Sequence, residues 1–363
     1  MHILARFIFS SLLCAPLLAM DVPQEAAAVE KSSAVAQLQK LFATAQHVYT
    51  ADGTNGGCGI DELKWNPQGT LLAAATHGQD PFILNPHDDC ALFIPVSQHQ
   101  KNGLCWVRHL AWNKSGRRIA FACKSQKIFI WDIEENRITH IIPSTSSSYI
   151  APTVAWSPIE ENTLVCCRDS ESLTKYQIPR ESAEQVARLS TISFRELSPG
   201  YPNRLDWRNE TVAMAYREAA LYMKDGTVTP IPANNKGSSY SRAIACHPFK
   251  NRIACAFDGL ENPRIVLCEP EEGSLKIIAT KDFAHGNISD ISFSHDGRFL
   301  TIPCDRKTIA TLDAETLDTL HTHPLGKDAQ CCENVQWNPQ KTKLAFADAR
   351  KLFITQEEAS EEK

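Results

Sequence analysis

Leu63-Lys64-Trp65-Asn66-Pro67-Gln68-Gly69, followed by Leu72-Ala73, returns as Leu110-Ala111-Trp112-Asn113-Lys114-Ser115-Gly116, followed by Ile119-Ala120. The pattern is an apolar residue, a spacer, a tryptophan, a turn of Asn or Ser with Pro and Gly, then an apolar–small pair. Weaker copies centre on Trp156 and Trp207. Three more read Ile244-Ala245-Cys246-His247-Pro248 with Ile253-Ala254, Ile291-Ser292-Phe293-Ser294-His295-Asp296-Gly297 with Leu300-Thr301, and Val335-Gln336-Trp337-Asn338-Pro339 with Leu344-Ala345. The anchors at 65, 112, 156, 207, 246, 293 and 337 are separated by 47, 44, 51, 39, 47 and 44 residues. A strand–turn–strand unit recurring about every 45 residues marks a four-stranded propeller blade. The seven copies therefore predict an all-β chain folded as a seven-bladed β-propeller.

The position aligned across the second strands carries Ala74, Phe121, Cys166, Met214, Cys255, Ile302 and Phe346. All are apolar, as required where blades pack face to face. Third strands are expected at 82–84, 128–132, 173–178, 220–223, 265–268, 308–312 and 352–355, and fourth strands at 138–142, 228–231 and 275–279. The last copy stops after its third strand, which would leave an open sheet edge. The β-prone segment Gln46–Thr50, with Val48 and Tyr49, is expected to supply the missing outer strand and lock the ring, so that the propeller spans 45–357.

Outside the ring, Met1 to Arg6 carries one fixed positive charge, and Phe7 to Ala19 is an uncharged run of thirteen residues. That layout reads as a secretory signal over 1–19, cut after Ala19 or Met20, and implies an exported protein, periplasmic or secreted. The alternatives are a retained N-terminal anchor or a lipid anchor on Cys14. Residues 20–44 read as a loose linker and then a short amphipathic helix over Ala34–Ala45, with Val35, Leu38, Leu41 and Phe42 at helical spacing. Residues 358–363 form a charged tail. With 37 basic against 42 acidic residues in 363, the chain is no generally basic nucleic-acid binder, and a content of 43% hydrophobic residues excludes wholesale disorder. No span long enough to cross a membrane is expected after signal cleavage.

The third strand of the second copy ends Phe129-Ile130-Trp131-Asp132, and the stretch from Ala284-His285-Gly286 to Asp296-Gly297 opens the sixth. In these features the chain resembles the WD40-repeat propellers, divergently, over nearly all of its length beyond the signal. The resemblance implies a rigid platform that binds proteins or peptides, without catalysis. The run Trp112-Asn113-Lys114-Ser115-Gly116-Arg117-Arg118-Ile119-Ala120-Phe121 also looks like repeats of the periplasmic Tol-system propeller. A count of seven, and no separate α/β domain before the ring in this sequence, argue against that family.

Local catalytic motifs are missing: there is no Gly-x-Ser-x-Gly, His-Glu-x-x-His or P-loop, no acidic calcium loop and no Cys-x-x-Cys. No cofactor or metal is expected. His321 and His323 would share one strand face, which reads as a solvated pair sooner than as two metal ligands. A propeller enzyme would gather its groups from distant blades, so a polar cluster inside the channel would favour that reading. Thirteen cysteines is a high count; Cys123, Cys166, Cys167, Cys255 and Cys304 fall where strands need small apolar residues. Cys58, Cys105, Cys331 and Cys332, on blades one, two and seven, precede their anchors by seven, seven, six and five residues. They form a candidate disulfide or thiol cluster at one channel mouth.

The same loops carry Trp106, Tyr201 and Tyr240 six residues before the anchor, Tyr149 seven before, Arg108 and Arg242 four before, and Arg204 three before. Aromatic and arginine side chains together compose interface hot spots. These seven are the candidate partner-binding residues, with Asp61, Glu62, Asp290 and Glu333 as an acidic half of the same rim. The expected function is a monomeric, non-enzymatic interaction scaffold for a protein or peptide. The alternatives are a Tol-like propeller in an envelope assembly and a propeller enzyme.

Overall fold

Each quoted repeat folds as two antiparallel strands joined by its own turn. In the first copy Gly59–Trp65 pairs with Leu72–His77, and Trp65 stands opposite Leu72. The Asn66 side chain makes the turn tight: its Oδ1 accepts the amides of Thr70 (2.8 Å) and Leu71 (2.9 Å). His247 does the same work in the fifth copy, its Nδ1 accepting the amides of Phe249 (3.0 Å) and Lys250 (2.9 Å). Any short acceptor at this place satisfies the turn, which is why the motif can drift without losing its shape. Gly69 is held by two constraints. Its φ is +67°, and a Cβ there would lie 2.2 Å from Oδ1 of Asn338 in the neighbouring blade. Asn338 Nδ2 in turn donates to the Gly69 carbonyl at 2.8 Å.

The computed structural model describes residues 24–51, 59–88, 90–100, 106–143, 151–169, 171–197, 200–216, 220–231, 240–258, 262–271, 274–284, 286–327 and 329–356. Among the described residues the strands form seven four-stranded sheets, six of them in simple sequential order and the seventh with its outermost strand taken from the segment ahead of the first blade. The first strand of every sheet touches the first strands of the sheets before and after it, and the seventh returns to the first. The first strands therefore line the axis of a closed ring. Anchor tryptophans staple neighbours together: Trp112 Nε1 donates to the Lys64 carbonyl (2.9 Å), and Trp65 Nε1 to the Gln336 carbonyl (3.2 Å).

The ring closes as the sequence predicts. Gln46–Thr50 pairs antiparallel with Lys351–Ile354, from Gln46 opposite Ile354 to Thr50 opposite Lys351, and completes the seventh sheet. Tyr49 then lies 4.3 Å, centroid to centroid, from Phe82 of the first blade. All seven second-strand residues aligned above are buried. The core is a series of layers between blades, such as Ala120 and Ile128 of the second packed on Val154 and Cys166 of the third.

The segment before the ring differs from expectation. A loose linker was expected up to Ala34, but the helix runs from Gln24 to Ala43. Alanine and glutamate are strong helix formers, so the first turns need no burial to stay helical. The buried face begins only at Ala34 and continues through Leu38, Leu41 and Phe42, packed on Phe299, Trp337 and Phe346 between blades six and seven. No helix among the described residues is long and apolar enough to cross a membrane. The 1–19 segment and the 358–363 tail lie outside the described residues.

His321 and His323 share one strand face, and that face meets the helix. Their rings lie 5.2 and 4.7 Å from the ring of Phe42. Burial lowers the pKa of both, and for His323 the neighbouring His321 adds to the effect. Below the ordinary histidine value of 6.5 the unfolded chain takes up protons that the docked rings refuse, so stability is present above that pH and lost as pH falls through it. His109, His140 and His247 shift in the same direction. Denaturation midpoints between pH 8 and pH 5 are expected to fall, and His321→Phe with His323→Phe is expected to remove part of that fall; an identical pH profile in the double variant would show that the two rings on Phe42 contribute nothing to it.

Candidate functional site

Pairing of the innermost strands skips one residue in five blades. The skipped residues are Asp61, Arg108, Asn203, Arg242 and Glu333. Each stands four residues before its anchor. A bulge turns the extra side chain out of the pleat and re-aims it. These five, with Ser289 at the same offset in the sixth blade, line one cavity of about 340 Å³ together with His109, Arg204 and Tyr240. Six of the seven blades thus present one polar position each to a shared mouth, basic at blades two and five and acidic at blades seven and one.

The next residue inward takes the opposite course. Glu62, His109, Asp290 and Asn334 stand three before their anchors and are buried. Arg204, at the same offset in the fourth blade, crosses the axis to meet them. Its Nη1 lies 3.2 Å from Glu62 Oε1 and 3.0 Å from His109 Nδ1. Its Nη2 donates to the Asp61 carbonyl (3.2 Å) and to Asn334 Oδ1 (3.3 Å). Burial pushes the Glu62 carboxyl up, but the charge of Arg204, the His109 hydrogen bond and Lys64 outweigh it and bring Glu62 to about 2. Burial lowers His109 and raises Asp290. The carboxylates also tie blades together: Glu62 Oε2 accepts the Leu110 amide at 2.7 Å, and Asp290 Oδ2 the Val335 amide at 3.1 Å.

Of the expected partner-binding residues, Arg108, Arg204, Tyr240 and Arg242 share the cavity wall. Arg204 is the one turned inward, with its side chain 12% exposed. Trp106 and Tyr201 stand outside the lining, 38% and 47% exposed. Trp106 is tied down by its neighbours: Nε1 donates to Asp61 Oδ2 (2.9 Å), and Lys124 Nζ sits 3.7 Å above its ring. Tyr149 lies outside the described residues. In the acidic half, Asp61 and Glu333 reach the mouth, whereas Glu62 and Asp290 lie beneath it. The sequence reading overlooked Asn203, Ser289 and His109; the signal for the first two was a polar side chain four residues before the anchor in six of the seven copies.

The thiol cluster is only half visible, since Cys58 and Cys105 lie outside the described residues. Cys331 and Cys332 are free thiols. Cys331 donates to Glu333 Oε1 at 3.3 Å, and burial followed by that carboxylate pushes it up to about 11. Burial raises Cys332 further. Cys123, Cys166, Cys167 and Cys255 are buried free thiols and Cys304 a half-buried one, packed as small apolar side chains. Among the described residues no group of His, Cys, Asp and Glu is arranged to hold a metal ion.

A family model described as the WD40 domain of anaphase-promoting complex subunit 4 matches residues 93–171. No curated protein matches the sequence. Among solved structures, the RRP9 WD40 repeats superpose with a TM-score of 0.69 at 11% identity, covering 86% of this chain and 97% of that one. The Cps50 (Swd1) β-propeller domain of Myceliophteria thermophila gives 0.65 at 11% identity, with 85% and 98% covered. A chain of the mitotic checkpoint complex gives 0.66 at 12% identity, with 86% and 94% covered. At these identities the likeness is one of fold.

Proposed function

We propose that the chain, a seven-bladed β-propeller that resembles the WD40-repeat kind, is a non-catalytic scaffold that holds a protein or peptide segment across the mouth lined by Asp61, Arg108, Asn203, Tyr240, Arg242 and Glu333. The observation that carries this reading is the repeated bulge, which spends a strand irregularity in five blades to aim polar side chains at one cavity. Fold alone would not carry it. The polar groups deeper in the channel favour a structural role over an enzymatic one. Glu62, Arg204 and Asp290 are engaged with one another's blades or with backbone amides, which leaves them poor candidates for proton transfer. Export, implied by residues 1–19, belongs to the same proposal and is tested by fractionating the host cells and sequencing the N-terminus of the recovered protein.

The test uses affinity capture by the full chain from its own host, with Tyr240→Ala and Arg242→Ala combined as the control. Both side chains are at least partly exposed, so unfolding is expected to move by less than about 1 kcal/mol. Loss of two rim hot spots is expected to weaken binding of the captured partner roughly thirtyfold or more. Unchanged binding by the folded variant would exclude this mouth.

A further inference from the structure

We infer that the partner segment enters the mouth with an oxyanion, a carboxylate or a phosphate, which docks on Arg108. The inference rests on the scaffold reading and names the chemistry of its ligand.

The argument is a charge-by-charge account of the cavity wall. Arg204 is satisfied by Glu62, His109, Asn334 and the Asp61 carbonyl. Arg242 pairs with Asp258 at 3.1 Å. Both carboxylate oxygens of Asp61 are engaged, Oδ2 by Trp106 Nε1 at 2.9 Å and Oδ1 by His77 Nδ1 at 3.2 Å. Glu333 accepts from the Cys331 thiol. Arg108 has no hydrogen bond or ion pair to any described residue, although it lines the same cavity. Withdrawal from water, and then the charge of Arg204, lower its pKa from the ordinary guanidinium value; Asp61 and Glu333 act the other way, Arg242 adds to the lowering, and the lowering prevails. A cation brought into the mouth would meet three guanidinium groups, and although Asp61 and Glu333 keep their negative charge on the same wall, the place between Glu62 and Asn334 is filled by Arg204. An anion meets the reverse: an unpaired fork of donors suited to two oxygens.

Selection of a displayed library of ten-residue peptides on the full chain tests this. Enrichment of Asp and Glu, or tighter binding when the selected acid is replaced by phosphoserine, supports the inference, and the better of the two identifies the oxyanion. Arg108→Gln is expected to weaken the best peptide roughly tenfold to a hundredfold. Arg108→Lys should restore part of that loss, and the amide form of the peptide should bind both variants alike. Enrichment of Lys and Arg, or equal binding by Arg108→Gln, overturns the inference while leaving the scaffold reading intact. Failure to select any peptide on the folded protein counts against the scaffold reading itself, and the inference falls with it.

Discussion

A chain beginning at residue 52 is expected to lose cooperative unfolding and to associate, whereas a chain beginning at residue 46, weakened by loss of the helix, still closes its ring and unfolds cooperatively. The two differ by the strand Gln46–Thr50, which is the outer strand of the seventh sheet. Removing it strips the backbone partners from Lys351–Ile354 and uncovers Leu352 and Ile354, which are fully buried in the intact ring. At about 1 kcal/mol per backbone hydrogen bond, with the apolar cover added, the loss is on the order of 5 kcal/mol. That is a large share of a total stability of about 5–15 kcal/mol. The exposed edge then offers a template for pairing between chains. Circular dichroism melts and light scattering decide the matter; a cooperative, monomeric melt from the shorter chain would refute the closure.

Replacing Arg204 by methionine is expected to cost about 3–5 kcal/mol, because Glu62 would be left buried without its main counter-charge, with only Lys64 at 3.9 Å remaining. Adding Glu62→Gln should recover most of that loss, since the amide oxygen can still accept from the Leu110 amide while the charge is gone. The pair also has an acid signature. Glu62 titrates near 2 in the folded chain against an ordinary 4.5, so its contribution is present above 4.5 and lost as pH falls from there toward 2. The double variant should lack that component. Urea midpoints across pH measure both effects. A wild-type midpoint in Arg204→Met alone would show that the crossing arginine bears no structural load.

The repeat was legible because its signal is local. The anchor, the turn and the apolar–small pair fall within about ten residues, and each turn is satisfied by its own side chains, as Asn66 and His247 are. The fourth strands were harder. Ala187–Ser193 is exposed at nearly every position, and Thr319–Pro324 alternates only weakly. An outermost strand has one neighbour and a wet face, so little apolar pattern is imposed on it. The helix starts ten residues before the first buried position, Ala34, because Gln24–Ser33 is helical on propensity and leaves no apolar periodicity in the sequence.

The site shows a sharper limit. Arg242 and Arg204 look alike in sequence, yet one borders the mouth with its side chain 46% exposed and the other plugs the axis at 12%. They differ by a single step of offset, and in a pleated strand a single step exchanges faces. The bulge that sets this step inserts no special residue: Asp, Arg, Asn and Glu all occupy it. Composition cannot betray it; only the strand register does.

The order of charges around the mouth also gives the ring a direction. Asp61 and Glu333 lie together on adjacent blades, while Arg108 and Arg242 stand apart on blades two and five, so negative charge is concentrated on one side and the surface carries a dipole in its own plane and not merely a net sign. Such a field acts before contact. It turns an approaching chain with one acidic and one basic end into a single orientation and discriminates against the reversed polarity. Because the effect is one of encounter, added salt would slow the association of a correctly polarised ligand far more than it would hasten its departure.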